Sequence, residues 1–139
     1  LLMRYLLDTN IVSEAARPAP HRGVLEALER NAAECAISAV SWHELLFGAE
    51  RLEDGGRRRQ ILAFIDEVAS LFPVLPYDAG PAAWHATERA RLARTGQMPA
   101  FADGQIAATA SHHKLILVTR NVRDFTPFAG LVIENWFEH

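Results

Sequence analysis

The sequence predicts an α/β fold in which helices pack on a mostly parallel β-sheet. Short apolar runs typical of buried strands alternate along the chain with longer segments of helical periodicity. Half of the 139 residues are hydrophobic and 22% are charged, which excludes disorder as the default state. This length is ordinary for one domain and too short for two independent cores. We therefore expect a single domain over residues 3–139.

The first half of the chain is predicted to contain two strands and four helices. They are, in order, a strand over 4–7 that ends at Asp8, a short helix over 11–16, a helix over 24–31, a strand over 35–38, a helix through 44–49 and a helix over 61–70. Pro18 and Pro20 end the first helix, because proline lacks the backbone donor that a helix interior needs. The glycine pair at 55–56 loosens the chain before the last of these helices.

The second half is predicted to add three strands and two helices. They are an extended segment over 72–76, a helix over 81–94, a small-residue helix over 103–113, a strand over 115–119 and a short strand over 131–133. Pro81 suits a first helical turn, and Thr95-Gly96 is a helix stop. In parallel sheets of this kind, functional groups collect at the carboxyl ends of the strands.

Charge, cysteine content and hydropathy narrow the class of protein. A net charge of -3 excludes a strongly basic nucleic-acid coat, although it permits a local basic patch. Cys35 is the only cysteine, which excludes a disulfide scaffold and fits a reducing cytoplasm. No apolar run approaches the roughly 20 residues of a membrane helix. We take Met3 as the natural start, with Leu1 and Leu2 a cloning remnant or an upstream start.

Four acidic residues stand beside apolar sequence, where an unpaired carboxylate is costly. They are Asp8 after the first strand, Glu44 near the start of a helix, Asp103 at the start of the small-residue helix and Asp124 after the 115–119 strand. Each also has a structural explanation. Asp8 and Asp103 could cap helices, Glu44 could form a capping box with Ser41, and Asp124 could belong to a turn after Asn121.

If these acids converge at one edge of the sheet, a functional site explains them better than four separate structural roles. Two carboxylates about 4 Å apart repel by roughly 4 kcal/mol at an effective dielectric near 20. Such a cluster either takes up protons or holds a cation. Oxygen ligands without cysteine or a paired histidine favour Mg²⁺ or Mn²⁺ over zinc. The acids are therefore predicted, if they meet, to form a site for a hard divalent cation.

Four sequence blocks occur in the order and approximate spacing of the PIN domain family. They are Leu6-Leu7-Asp8-Thr9-Asn10, Ser41-x-x-Glu44-Leu45, Asp103-Gly104-Gln105-Ile106-Ala107-Ala108 and Leu117-Val118-Thr119-Arg120-Asn121-x-x-Asp124-Phe125. The chain resembles this family over residues 4–135, and within it the VapC-type ribonuclease toxins. The resemblance implies a three-layer α/β/α sandwich and an endoribonuclease, dependent on Mg²⁺ or Mn²⁺, that acts as the toxin of a toxin–antitoxin pair.

The resemblance also implies roles for particular residues and partners. Asp8, Glu44, Asp103 and Asp124 match acids that are both catalytic and metal-ligating, and that would hold one or two ions to activate a water against an RNA phosphodiester. Polar positions that support those acids are matched by Thr9, Asn10, Thr119 and Asn121. The implied partners are an RNA substrate (tRNA or another structured RNA), a cognate antitoxin and a second copy of the chain. Trp136 lies in a tail that departs from the family's usual Asn-Pro-Trp, which puts the packing of the tail in question.

Positive charge for binding RNA would have to come from arginines near the acids. Arg17 follows the first site segment, and Arg120 and Arg123 flank Asp124. Further arginines at positions 22, 57–59, 89, 91 and 94 are weaker candidates, because most arginines are solvated helix charges. The histidines lack the paired spacing of a metal motif, so we expect structural or surface roles for them.

Two other functions compete with a nuclease. A haloacid-dehalogenase-like phosphotransferase also begins with a strand ending in aspartate, but it needs a second acid two residues later, where this chain has Asn10. It also needs a suitably placed lysine, and Lys114 is the only lysine. A non-catalytic acidic module that binds a metal or a partner stays open, because retained acids do not prove turnover.

Overall fold

A five-stranded parallel sheet with helices on both faces forms the protein. The structure, a computed structural model, describes residues 2–138. Leu1 of the expected extension and His139 at the end of the expected domain lie outside the described residues. The strands are β1 (Tyr5–Leu7), β2 (Cys35–Ser38), β3 (Val74–Leu75), β4 (Ile116–Val118) and β5 (Ile133–Glu134). The helices are α1 (Thr9–Glu14), α2 (Arg22–Asn31), α3 (Ala39–Glu50), α4 (Gly56–Leu71), α5 (Ala79–Arg94), α6 (Phe101–His112) and α7 (Val122–Phe125). None of these helices is long and apolar enough to cross a membrane.

The order of the strands creates a crevice at the centre of the sheet. They lie in the order β3-β2-β1-β4-β5, and all four neighbouring pairs are parallel. The chain builds outward from β1 to β3 and then returns to the other side of β1 for β4 and β5. Ligands of open α/β sheets bind where the strand order reverses in this way, outside the carboxyl ends. The reversal here lies between β1 and β4.

Side chains that alternate along the strands supply two separate cores. Leu7 and Ile37 pack with helices α1–α4 on one face, whereas Leu6 and Leu117 pack with α5–α7 on the other. All four are fully buried, and each contributes about 2 kcal/mol through burial of apolar surface. Helix α6 contributes the small residues Ala107 and Ala110 to the second core, together with Ile106. The expected three-layer α/β/α sandwich is therefore confirmed.

Every predicted element is present, and its ends differ by a few residues for local reasons. Helix α1 begins at Thr9 rather than 11, because the Asp8 carboxylate caps it by accepting a hydrogen bond from the Thr9 backbone N–H at 2.8 Å. Pro81 lies in the first turn of α5, as expected. The last strand spans Ile133–Glu134 rather than 131–133, because pairing with β4 begins only at Ile133.

The tail packs on the domain despite its departure from the family pattern. Trp136 is buried, and its ring lies edge-on to that of Tyr5 with centroids 5.2 Å apart. Its indole Nε1 donates a hydrogen bond to Glu134 Oε1 at 3.0 Å. Trp136 therefore packs in the same core as Tyr5 of β1, although this chain lacks the proline of the family's Asn-Pro-Trp.

Candidate active site

The crevice between β1 and β4 holds the most buried of the four acids. Leu7 lies opposite Val118 in the sheet, so the next residues, Asp8 and Thr119, are neighbours across the crevice. The Asp8 backbone N–H donates to the Val118 carbonyl at 2.9 Å, and Thr119 Oγ1 donates to Asp8 Oδ2 at 2.8 Å. Sheet register alone therefore joins positions 8 and 119.

Asp8 caps helix α1, as its structural explanation predicts, and the same carboxylate also accepts hydrogen bonds from other residues of the crevice. Its side chain accepts hydrogen bonds from Thr9, Thr119 and Asn10, the last at 3.4 Å, and the residue is only 6% exposed. Burial nevertheless raises its pKa above the usual value despite these bonds, and the charge of Asp124 raises it further. The fold thus holds this carboxylate in an environment that disfavours its ionised form.

Glu44 does not form a capping box with Ser41, so that explanation is wrong. Helix α3 begins at Ala39, and Ser38 caps it by accepting from the Ser41 backbone N–H at 3.0 Å. Glu44 consequently lies in the second turn of α3 on the rim of the crevice, where its Oε1 accepts from Thr9 Oγ1 at 3.3 Å. Partial desolvation raises the pKa of Glu44, and the charge of Asp8 adds to this effect.

Asp103 is not a helix N-cap either. Helix α6 begins at Phe101 after Ala100, which places Asp103 inside the first turn, half-buried. Burial raises its pKa from 3.8 to about 6, with further contributions from the charges of Asp124, Asp8 and Glu44. Because all three other acids act on it, Asp103 lies within electrostatic reach of the whole group.

Asp124 completes the group from the far side of β4. It lies in the short helix α7 and is exposed, and its backbone N–H donates to the Asn121 carbonyl at 3.0 Å, which is the expected turn. Its charge raises the pKa of both Asp8 and Asp103. Four segments distant in sequence therefore bring their carboxylates to one edge of the sheet.

The polar residues expected to support the acids do touch them or one another. Asn10 donates to Asp8 and, through Oδ1, accepts from the Arg120 backbone N–H at 3.1 Å. Thr119 Oγ1 accepts from the Asn121 backbone N–H at 3.0 Å while it donates to Asp8. Asn121 thus takes part through its backbone, whereas Asn10 and Thr119 act through their side chains.

The donors suit a hard cation, although the carboxylates are not closed around a single point. Within residues 2–138, no three histidine, cysteine, aspartate or glutamate side chains form a ready metal-binding group. Mg²⁺ keeps several of its waters and uses one or two protein carboxylates, so open spacing is compatible with it. Burial raises the pKa values of Asp8, Glu44 and Asp103, repulsion from the other acids raises them further, and a divalent charge at this edge would favour the ionised carboxylates. The residues present therefore fit such an ion.

The arginines near the acids differ in how they are held. Arg17 is exposed, and its Nη1 lies 3.5 Å from Glu14 Oε1. It lines a groove together with Glu44. The Arg120 guanidinium lies 4.3 Å from the ring centroid of Phe137 in the tail. Arg123 lines the cavities on either side of Asp124.

Arg91, a weaker candidate for contact with RNA, has a structural role instead. It donates to both carboxylate oxygens of Glu88, at 2.6 and 2.9 Å, and to the Pro127 carbonyl at 3.0 Å. Glu88 in turn accepts from the Ala129 backbone N–H at 2.6 Å. The pair holds the segment after α7 against α5. The Glu88-x-x-Arg91 spacing could have indicated the ion pair itself, but not its bonds to that segment.

His85 holds the first turn of α6, which carries Asp103. Its Nδ1 is hydrogen-bonded to Tyr77 Oη at 2.7 Å, and its ring packs against Phe101 with centroids 4.8 Å apart. The same ring lies directly against Gly104, in the space that a Cβ there would occupy. Sequence reasoning expected structural or surface roles for the histidines but not this contact, because nothing in the pattern links position 85 to position 104.

Comparison with known proteins agrees with this geometry. The chain is 36% identical over 135 residues to the tRNA(fMet)-specific endonuclease VapC of Shigella flexneri, covering 97% of this chain and 99% of the relative. The crystal structure of FitAcB from Neisseria gonorrhoeae matches with a TM-score of 0.86 and 34% identity, over 97% of this chain and 99% of that one. DNA-bound VapBC from Salmonella typhimurium matches with a TM-score of 0.84 and 31% identity, again over 97% and 99%. Residues 5–130 match the PIN domain. The chain therefore belongs to the PIN domain family, in which similar relatives carry the name VapC.

Proposed function

We propose that this protein is a divalent-metal-dependent endoribonuclease and the toxin of a toxin–antitoxin pair. The observation that carries the proposal is the group of four acids at the crevice, three of which have a raised pKa. Such an arrangement opposes folding, and strongly perturbed acids in a cleft are typical of functional sites. Similarity to proteins named as VapC ribonucleases supports RNA as the substrate.

Asp8, Glu44, Asp103 and Asp124 would hold one or two Mg²⁺ or Mn²⁺ ions and form the catalytic site. A bound ion of this kind lowers the pKa of a water molecule and offsets negative charge that develops on the phosphate. The chain itself fixes the donors. Thr119 and Asn10 hold the Asp8 carboxylate in one orientation, and Thr9 restrains Glu44 on the rim.

The remaining part of the chemistry is attraction of an anionic substrate to an acidic cleft. Arg120 and Arg123, one on each side of Asn121, supply positive charge next to Asp124. Arg17 supplies charge near Glu44 on the opposite rim. These three side chains are our candidates for phosphate contacts, because arginine binds phosphate through paired N–H donors.

The proposal extends to partners and location. Solved relatives include toxin–antitoxin complexes, and we propose that a cognate antitoxin of this chain occupies the groove beside Glu44. We also propose a homodimer and tRNA or another structured RNA as the substrate. A cytoplasmic location agrees with the buried free thiol of Cys35. Membership of the PIN domain family disfavours the haloacid-dehalogenase alternative, while the non-catalytic acidic module is decided by experiment.

Cleavage of total tRNA in the presence of Mg²⁺ or Mn²⁺ tests the proposal. The wild-type protein should cut, whereas Asp8→Asn should lose about a hundredfold or more of the rate, because asparagine retains the cap but not the charge. Asp66→Asn is the matched control, since Asp66 is exposed on α4 away from the crevice. Equal cutting by wild type and Asp8→Asn would reveal a contaminating nuclease. Folded wild-type protein that cuts none of the RNA with either metal would favour the non-catalytic module.

A further inference from the structure

Two open cavities meet at α7, one on each side of Asp124. The first, of about 510 Å³, lies between α7 and the α5–α6 loop, and its lining includes Gln97, Met98, Asp103, Arg123, Asp124 and Pro127. The second, of about 390 Å³, lies between α7 and the tail, and its lining includes Arg120, Arg123, Asp124, Asn135 and Glu138. Arg123 and Asp124 are common to both. A chain molecule that passed from one cavity to the other would therefore cross α7 directly over the acid.

The first cavity has walls suited to a nucleobase. Met98 is 65% exposed, and Pro99 and Pro127 add further apolar surface beside it. The Gln97 side chain contributes an amide, whose Nε2 donates to Thr95 Oγ1 at 3.1 Å and whose carbonyl oxygen can accept. An unstacked base presents two apolar faces and a hydrogen-bonding edge, which is the same combination. The volume is within the ordinary range for small-ligand sites.

The second cavity has walls suited to a phosphate backbone. Arg120 and Arg123 both line it, while Asp124 and Glu138 are the opposing charges. The Arg120 guanidinium is restrained over the Phe137 ring, whose own backbone N–H donates to Asn135 Oδ1 at 3.0 Å. A cation held in place loses little freedom on binding an anion, which strengthens the contact.

The opposite approach to the acids has a different chemistry. The groove of about 370 Å³ beside Glu44 is walled largely by apolar side chains, among them Leu45, Ile61, Phe64 and Ile65. Arg17 and Arg57 are the positively charged residues of its lining, so a phosphate backbone laid along the apolar walls would lose hydration over most of its length, which is costly. The polar route over α7 is consequently the favourable one for a nucleic acid strand.

Both walls of the α7 route are fixed before any ligand arrives. The Glu88–Arg91 pair fastens Pro127 and the following segment to α5. On the other wall, the Gln97 backbone N–H donates to the Leu92 carbonyl at 2.9 Å, and Gly96 has φ 76, a left-handed conformation that glycine adopts without strain. Preformed walls of this kind favour selection among ligands over adaptation to each.

We propose that a single-stranded segment of RNA crosses α7, with Arg123 on a phosphate next to the scissile one. Gln97 and Met98 contact the base on one side, and Arg120 contacts a phosphate on the other. The inference rests on the proposed nuclease function and adds to it a path for the strand and a nucleotide site. Gln97 and Met98 are then specificity-determining residues, because they touch a base rather than the backbone.

The first test compares two arginines that differ only in position. Arg123→Gln should lower kcat/KM on total tRNA by about tenfold, since one charge-assisted phosphate contact is lost. It should also reduce the slope of log(kcat/KM) against log[KCl] by about 0.7–1, the value for one phosphate contact. Arg30→Gln, an equal charge change at an exposed position of α2, should alter neither quantity. Equal behaviour of the two variants would overturn the strand path.

The second test maps the strand by protection of an introduced thiol. Cys35 is buried, and burial raises its pKa to about 12, so a maleimide will report only on an added cysteine. Met98→Cys and Val132→Cys place that thiol at positions 65% and 58% exposed, the second beside the start of β4, at the amino ends of the strands rather than the carboxyl ends that carry the acids. Both are made in the Asp8→Asn background to prevent cleavage, and total tRNA with Mg²⁺ is the probe.

The RNA should slow labelling of the Met98→Cys protein at least about fivefold and leave the Val132→Cys protein within about twofold. Equal labelling of the two proteins, while the wild type cleaves tRNA, overturns the strand path and leaves the nuclease function intact. Failure of the wild type to cleave overturns the nuclease function instead. Labelling then still decides whether RNA binds over α7.

Discussion

Replacement of Asp103 by asparagine is expected to stabilise the metal-free protein at neutral pH while abolishing its activity. Burial and the charges of Asp124, Asp8 and Glu44 raise the pKa of Asp103 from 3.8 to about 6. Because the folded pKa lies above the unfolded one, the stability that protonation contributes is complete below about pH 4 and is lost as the pH rises through about 6. At pH 7.5 the folded protein therefore carries an ionised carboxylate that asparagine would not.

The size of the effect follows from the same shift. A difference of about two pH units between folded and unfolded pKa corresponds to about 3 kcal/mol. Asp103 is only half-buried, so solvent screening reduces the expected gain to about 1 kcal/mol. For a domain of this length, that gain is a rise of about 3 °C in Tm.

Thermal unfolding followed by circular dichroism in EDTA measures this gain. The Tm of Asp103→Asn should exceed that of the wild type at pH 7.5, and the difference should shrink at pH 5.0, where Asp103 in the wild type is largely protonated. Asp66→Asn controls for the substitution itself. A lower Tm for Asp103→Asn at pH 7.5, or a difference that does not change with pH, would refute the electrostatic reasoning.

Other substitutions test the supports of the site. Gly104→Ala should lower stability by about 1–3 kcal/mol because the His85 ring fills the space of the new Cβ. Gly48→Ala, also within a helix but with open space around it, should raise stability by about 0.5–1 kcal/mol; urea unfolding distinguishes the signs. Glu88→Ala should cost about 2 kcal/mol at pH 7. That cost should shrink as the pH falls below the ordinary glutamate pKa of 4.5, because the hydrogen bond from Arg91 lowers the Glu88 pKa and its stabilisation is lost as the carboxylate protonates.

The fold could be predicted because its signals are local. Apolar runs that contain Leu6-Leu7 and Leu117-Val118 mark buried strands, and proline and glycine lie close to the ends of α4 and α5. The partner of each strand has no such local signal. Resemblance to the PIN domain family supplied the layers, and the coordinates supplied the order β3-β2-β1-β4-β5.

The four acids could be nominated from sequence, but their structural explanations could be judged only in three dimensions. A serine three residues before Glu44 satisfies the capping pattern, yet Ser38 begins the helix three residues earlier. Serine is a favoured N-cap residue, and both Ser38 and Ser41 follow the 35–38 strand closely enough to begin the helix. The sequence alone does not show which of the two is the N-cap. For Asp8 the cap and the site proved to be compatible, because one carboxylate serves both.

The residues of α5 that contact the acid-bearing elements had the weakest sequence signals. His85 of α5 contacts Gly104 of α6, and the Glu88–Arg91 pair contacts the segment after α7. Such contacts depend on how α5 lies against α6, which no periodicity specifies. Position in the sheet determines where the acids meet, whereas helix packing determines how firmly they are held.

Titration of the metal-free protein with Mn²⁺, followed by the electron paramagnetic resonance signal of the free ion, tests the shared acidic site most directly. The wild type should remove Mn²⁺ from solution at pH 7.5. Asp8→Asn and Glu44→Gln, changed on different elements, should each weaken that binding at least about tenfold, whereas Asp66→Asn should not. Identical titration curves for the wild type and both site variants, or no uptake by the wild type, would contradict the conclusion that these carboxylates form one cation site.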